Sequence, residues 1–162
     1  MIVLGIDPGL KNTGWGVVEQ RGSSLRCLAY GCIVTDPHTP VADRLAEIHD
    51  GIARVIRRYR PTGCGIENVY FSANARTAFA TGQARGVALL AVVGMEVGEY
   101  GPGEIKLSTV GNGSADKEQV QYMVRAILDL PQIPEPDHAA DALAAAITHV
   151  NMRITRAGER VG

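Results

Sequence analysis

The chain has 162 residues, of which 46% are hydrophobic and 20% charged, and its formal net charge is −1. This is the balance of an ordinary globular domain with a sizeable core. The longest apolar run, residues 87–95, is about half the length of the ~18 residues that a membrane span needs, and the first residues lack the pattern of a secretory signal. The three cysteines include no CxxC pair. We therefore expect a cytoplasmic protein with buried free thiols and no membrane association.

The first third of the chain predicts strands followed by a helix. Apolar runs indicate strands over residues 2–7, 13–20 and 25–35, and the short turns between them favour antiparallel pairing. Apolar residues then recur at steps of three and four from Val41 to Tyr59, which is typical of an amphipathic helix. Pro61 ends that helix.

The rest of the chain alternates strands and helices. We expect a fourth strand over residues 62–67, a loop over 69–75, a fifth strand over 104–110, and helices over 75–98, 115–130 and 137–152. The helix over 75–98 is apolar on all sides, so it packs either in the core or in a subunit interface. The fold class is therefore α/β, a mixed sheet flanked by helices. The domain spans residues 1–152, and residues 153–162 form a flexible basic tail.

Acidic residues end two of the predicted strands and begin the last helix. Asp7 closes the first strand and Glu67 the fourth, while His138 and Asp141 share a helix face because they are three residues apart. Three carboxylates and one imidazole would suit Mg²⁺ or Mn²⁺. Two such ions about 3.5–4 Å apart could serve in-line phosphoryl displacement. The spacing alone does not show that these groups converge.

Each of these residues also has an ordinary explanation. Asp7 precedes Pro-Gly and could be a turn residue, and Glu67 could simply end a strand. Asp137 is well placed as a helix N-cap, and His138 could be a surface residue. Gly14 and Gly16 leave one face of a strand without side chains, where a DNA backbone could approach.

Five segments carry a resemblance to a known family. They are GIDPGLKNTGWGVVEQ (5–20), IENVY (66–70), GQARG (82–86), VGNGSADK (110–117) and HAADAL (138–143). In this order they resemble the RuvC-type Holliday-junction resolvases of bacteria. The resemblance implies a ribonuclease-H-like fold and a homodimeric, Mg²⁺- or Mn²⁺-dependent endonuclease. Such an enzyme nicks two opposing strands of a four-way DNA junction in recombination and repair, beside a branch-migration complex of RuvA and RuvB.

The resemblance also assigns roles to residues. Asp7, Glu67 and Asp141 take the family's acidic positions, and His138 stands where members have Asp or His. Lys106 and Lys117 match basic residues used in cleavage. Tyr70 and Phe71 fall in a loop that contacts bases, where an aromatic ring can stack. Basic residues for backbone contact are then Lys11, Arg76 and Arg85, and ordinary surface or packing roles remain open for all of these.

Three other functions stay open on the sequence. The Gly-Ile-Asp-x-Gly strand also begins ATP-handling folds of the actin and sugar-kinase type, although those need a second domain that this chain lacks. The histidine at position 138 leaves room for a module that binds junctions without cutting them. A related nuclease that acts on RNA is the third alternative.

Overall fold

The computed structural model describes residues 1–68 and 74–159. Its strands are β1 (Ile2–Asp7), β2 (Asn12–Arg21), β3 (Ser24–Val34), β4 (Gly63–Glu67) and β5 (Glu96–Tyr100). Its helices are α1 (Val41–Tyr59), α2 (Ala75–Ala91), α3 (Pro102–Val110), α4 (Lys117–Ile127) and α5 (Asp137–Glu159). No helix within these ranges is both long and apolar enough to span a membrane.

The five strands form one mixed sheet in the order β3-β2-β1-β4-β5. The β1–β2 and β2–β3 pairs are antiparallel, whereas β4 lies parallel to both β1 and β5. On one face of the sheet, Leu4 shares a buried cluster with Ile48 of α1 and Ala88 of α2. On the opposite face, Val3 shares a buried cluster with Leu143 of α5, and α3 and α4 pack in turn against α5. The predicted α/β class with a mixed, helix-flanked sheet is confirmed.

Helix α5 lies unusually close to the middle of the sheet. A Cβ atom at Gly5 would lie 1.8 Å from the carbonyl oxygen of Ala142, and one at Gly14 would lie 1.9 Å from that of His138. Because these strand positions are glycines, the backbone of α5 occupies the space that a side chain would otherwise take. The interpretation of Gly14 and Gly16 as room for DNA is wrong, because α5 covers both positions.

Two predicted elements were placed wrongly. The apolar helix ends at Ala91 instead of residue 98, and the last strand is Glu96–Tyr100, whereas residues 102–110 are helical. Strand β5 is an edge strand with exposed Glu96 and Glu99, so its sequence lacks the apolar run of a central strand. Residues 153–159 continue α5, and the domain boundary at 152 stays a prediction.

The thiol prediction is met in part. All three cysteines are free; Cys64 is buried, whereas Cys27 and Cys32 are only partly buried.

The close approach of α5 gives a stability prediction. Gly5→Ala should lower the free energy of unfolding by about 3 kcal/mol or more, because the new methyl group meets backbone that cannot rotate away. Gly103→Ala in α3 is the matched control, since a Cβ there meets nothing within 4 Å. Urea unfolding of both variants checks this, and equal stabilities would contradict the packing argument.

Candidate metal and phosphate site

Two acidic residues meet where neighbouring parallel strands end. The β1–β4 register pairs Ile6 with Ile66, so the next residues, Asp7 and Glu67, leave the sheet side by side. The buried strands hold their backbones, and β1 and β4 end at these two residues. Carboxylates at this edge are therefore fixed by the sheet and accessible from one side.

The first turns of α5 complete the cluster. His138 Nδ1 lies 2.8 Å from Asp7 Oδ2, a hydrogen bond between residues 131 positions apart. Within the described part of the chain, Asp7, His138 and Asp141 form a group whose potential ligand atoms all lie within 4.8 Å of one another. With Nδ1 donating to Asp7, the neutral imidazole keeps the Nε2 lone pair for another partner.

Glu67 lies beside this group at the end of β4, and it lines one cavity together with Asp141. Burial, and then the negative charges of Asp7 and Asp141, raise the pKa of Glu67 to about 8. A carboxyl group with such a pKa keeps its proton near neutrality unless a cation joins the site. The structure thus brings Asp7, His138 and Asp141 together, with Glu67 beside them at the end of β4, whereas the catalytic and metal-binding roles of all four stay predictions.

The neighbouring groups show the same excess of negative charge. Burial and the charge of Asp7 raise the pKa of Asp141. The hydrogen bond to Asp7 raises the pKa of His138, because the protonated ring is the better donor. A divalent cation at this edge would relieve the repulsion among the carboxylates.

Two lysines approach the cluster from α3 and α4. Lys106 and Lys117 line a cavity of about 180 Å³ whose wall also includes Glu67 and Asp141. Lys117 Nζ lies 3.5 Å from Asp141 Oδ2. Apolar side chains, among them Ile105 and Val120, form the rest of the lining. The cavity therefore joins two ammonium groups to the acidic edge, which suits an anion such as a phosphate.

Asp137 has a different place from the one the sequence indicated. It is the first residue of α5, and its carboxylate lies 3.1 Å from Lys117 Nζ and accepts a hydrogen bond from Gln121 Nε2 at 3.2 Å. It does not belong to the group of three ligand residues. Sequence reasoning missed Gln121, because nothing in its local pattern marks a contact that only the packing of α4 on α5 creates.

The predicted DNA-contacting residues are more dispersed. Lys11 is exposed in the turn after β1, and Arg76 is exposed in the first turn of α2. Arg85 forms an ion pair with Glu99 on β5. Tyr70 and Phe71 lie outside the described residues. The structure thus places Lys11 at the edge that carries Asp7, and it gives Arg85 an intramolecular partner that sequence did not suggest.

Comparison with known proteins decides the family. Residues 3–149 match the family described as Crossover junction endodeoxyribonuclease RuvC. The chain belongs to this family. Similar proteins include the enzyme of that name from Treponema pallidum (strain Nichols), 51% identical, covering 93% of this chain and 78% of the relative. The one from Desulforamulus reducens is 45% identical and covers 98% of both chains.

A solved RuvC has the same fold. Thermus thermophilus RuvC in complex with a Holliday junction substrate superposes with a TM-score of 0.92 at 38% identity, covering 96% of each chain. The yeast mitochondrial resolvase Ydc2 matches with a TM-score of 0.63 at 11% identity over 95% of this chain and 82% of that one, which shows the fold alone. The predicted ribonuclease-H-like fold and RuvC membership are confirmed, and the actin-type alternative is set aside.

The raised pKa of Glu67 gives a prediction for the protein without divalent cations. Between its ordinary pKa near 4.5 and its folded value of about 8, the folded state binds more protons than the unfolded state, so stability falls as pH rises through this window. Glu67→Gln removes that loss. At pH 8 with chelator, the variant should be more stable than the parent by about 1–3 kcal/mol, with the gap closing towards pH 5.

Urea unfolding at both pH values measures the difference. Glu118→Gln, an exposed acid on α4, is the control and should follow the parent. A Glu67→Gln variant with the same pH dependence as the parent would show that Glu67 is not held in a repulsive environment.

Proposed function

We propose that this chain resolves four-way DNA junctions by hydrolysing one phosphodiester bond in each of two opposing strands. The support is membership of the RuvC family and the junction complex of the Thermus relative. The observation that carries the proposal to this chain is the convergence of Asp7, His138 and Asp141 at one open edge. The expected cleavage leaves 5′-phosphate ends.

The donor set fits Mg²⁺ or Mn²⁺. Carboxylate oxygens from Asp7, Asp141 and Glu67 suit hard cations, and the single imidazole of His138 makes Mn²⁺ acceptable as well. When bound, such ions would activate water and stabilise the leaving oxygen, and we propose two per site. The residues themselves hold the carboxylates in place: the sheet fixes Asp7 and Glu67, and His138 orients Asp7 by its hydrogen bond.

The lysines supply positive charge without a metal. A phosphate in the cavity between α3 and α4 would lie beside Lys106 and Lys117, whose ammonium groups can offset the charge that develops as the phosphodiester is attacked. Lys11, Arg76 and Arg85 are proposed to contact the DNA backbone. Tyr70 and Phe71 are proposed to contact bases. Binding should weaken steeply with salt.

Two symmetric cuts require two copies of the site, and we propose a homodimer with two-fold symmetry. Helix α2 buries Ala84 and Ala88 within the chain, but it exposes large apolar residues on its other face, so it is not buried on all sides. Its outer face exposes Phe79, Gly82, Gly86 and Leu90, called here the α2 stripe; Phe79 is 71% exposed and Leu90 65%. A Cβ at either glycine meets nothing within 4 Å, so a partner helix could approach closely.

The cellular setting follows from the proposed substrate. A resolvase of recombination intermediates would act on the chromosome in the cytoplasm, beside a branch-migration complex such as RuvA and RuvB. Gel filtration of the chain with candidate motor proteins on a synthetic junction would test that association.

The central experiment is cleavage of a synthetic four-way junction with Mg²⁺ or Mn²⁺, with both nicks mapped. Two symmetric nicks support the proposal. Binding without product in either metal would indicate a junction-binding module, and preference for an RNA substrate would indicate a nuclease of the same fold with another target.

Asp7→Asn should reduce junction cleavage to below about one hundredth of the parent rate, because it removes a charged ligand from the site. Junction affinity in an electrophoretic mobility assay should be retained, since the variant keeps the DNA-contacting cations. Asp43→Asn, an exposed residue of α1, is the control and should cleave normally. Normal cleavage by the Asp7→Asn variant would place the chemistry elsewhere.

The α2 stripe gives a separate prediction. Leu90→Glu should weaken dimerisation by at least about tenfold, because it places a charge within the proposed apolar contact. Analytical ultracentrifugation measures the change. Ile154→Glu replaces an equally apolar residue, 54% exposed on α5, and should leave the dimer intact; equal behaviour of the two variants would exclude this interface.

A further inference from the structure

A lysine of the candidate site is shared between two carboxylates. Lys117 Nζ lies 3.1 Å from Asp137 Oδ2 and 3.5 Å from Asp141 Oδ2. Asp141 belongs to the group of potential metal ligands, whereas Asp137 does not. The Lys117 ammonium is thus nearer to Asp137, which is outside the group of potential metal ligands, than to Asp141, which belongs to it.

The position of Asp137 is itself fixed from α4. Gln121 Nε2 donates to Asp137 Oδ1 at 3.2 Å, which leaves Oδ2 for Lys117. The start of α4 is held by Asp116, which accepts from Gln119 N at 2.8 Å in a capping box. Lysine, glutamine and aspartate therefore form one small network that joins the first turns of α4 and α5.

This network contributes little to folding. The Lys117 side chain is 53% exposed and that of Asp137 62%, and ion pairs in such positions add little stability. Any functional effect of the network therefore comes from the position in which it holds the Lys117 ammonium group. Without Asp137, Lys117 would be free to shorten its 3.5 Å contact with Asp141. The closer pair would compete more strongly with a cation for the same oxygen atoms.

We propose that Asp137 is a positioning residue that draws the Lys117 ammonium towards itself, so that the contact of Lys117 with Asp141 stays the longer of the two. Asp141 then stays available to a divalent cation, and Lys117 stays beside Lys106 in the cavity proposed for the phosphate. This inference rests on the proposed function, because it assigns Asp137 a part in preparing that same site.

The test measures Mn²⁺ binding to the protein alone, by calorimetry without DNA. Asp137→Asn should weaken Mn²⁺ affinity about two- to fivefold, the range expected for one exposed ion pair, and Asp137→Glu should restore most of it. Glu118→Gln removes an exposed charge next to Lys117 on α4 and should leave the affinity unchanged. In a Lys117→Ala background, Asp137→Asn should have no further effect, because the competing ammonium is absent.

Two outcomes would overturn the inference. If Asp137→Asn behaves like Glu118→Gln, Asp137 does not influence the site. If it weakens Mn²⁺ binding equally with and without Lys117, it acts through its own charge and positions nothing. Cleavage assays separate this from the function: a parent protein that binds junctions and never cuts them refutes the proposed function, while the Mn²⁺ affinities still decide the role of Asp137.

Discussion

The contact between α5 and the glycine-lined face of the sheet is the constraint on which the site depends. The carbonyl oxygens of Ala142 and Ala145 occupy the space that side chains at Gly5 and Gly65 would fill. Only this distance of approach allows His138 Nδ1 to reach Asp7 Oδ2 at 2.8 Å. A helix held off by ordinary side chains would stand several ångströms farther out, and the two halves of the cluster would not meet.

The same contact explains why the pKa values of Glu67 and Asp141 are raised. Packing α5 tightly on β1 and β4 removes water from around Glu67 and Asp141, and burial is the largest cause of the raised pKa of each. The carboxylates are thereby brought close together and poorly solvated, which costs folding free energy. The crowded carboxylates therefore lower the stability of the fold locally, and a bound cation would restore it. Functional sites commonly carry such a loss of stability.

Sequence reasoning succeeded where the local pattern determined the structure. Val41 to Tyr59 formed the expected helix because its apolar residues follow one face, and Asp7 and Glu67 ended strands as their buried runs predicted. It failed for β5, an edge strand of five residues that carries two glutamates, Glu96 and Glu99. The sequence also indicated that something packs closely against Gly14 and Gly16. It did not show whether this is DNA or, as in the structure, helix α5.

The histidine at position 138 illustrates how one substitution changes this balance. A fourth carboxylate next to Asp7 would add repulsion to a cluster that already raises the pKa of Glu67 to about 8. The imidazole of His138 instead donates a hydrogen bond to Asp7, and this bond raises the pKa of His138. A cation that binds here would meet Asp7 already held by this hydrogen bond and the Nε2 lone pair of His138 still available. Its charge would offset the repulsion among the carboxylates, so metal binding and the stability of the fold are linked at this edge.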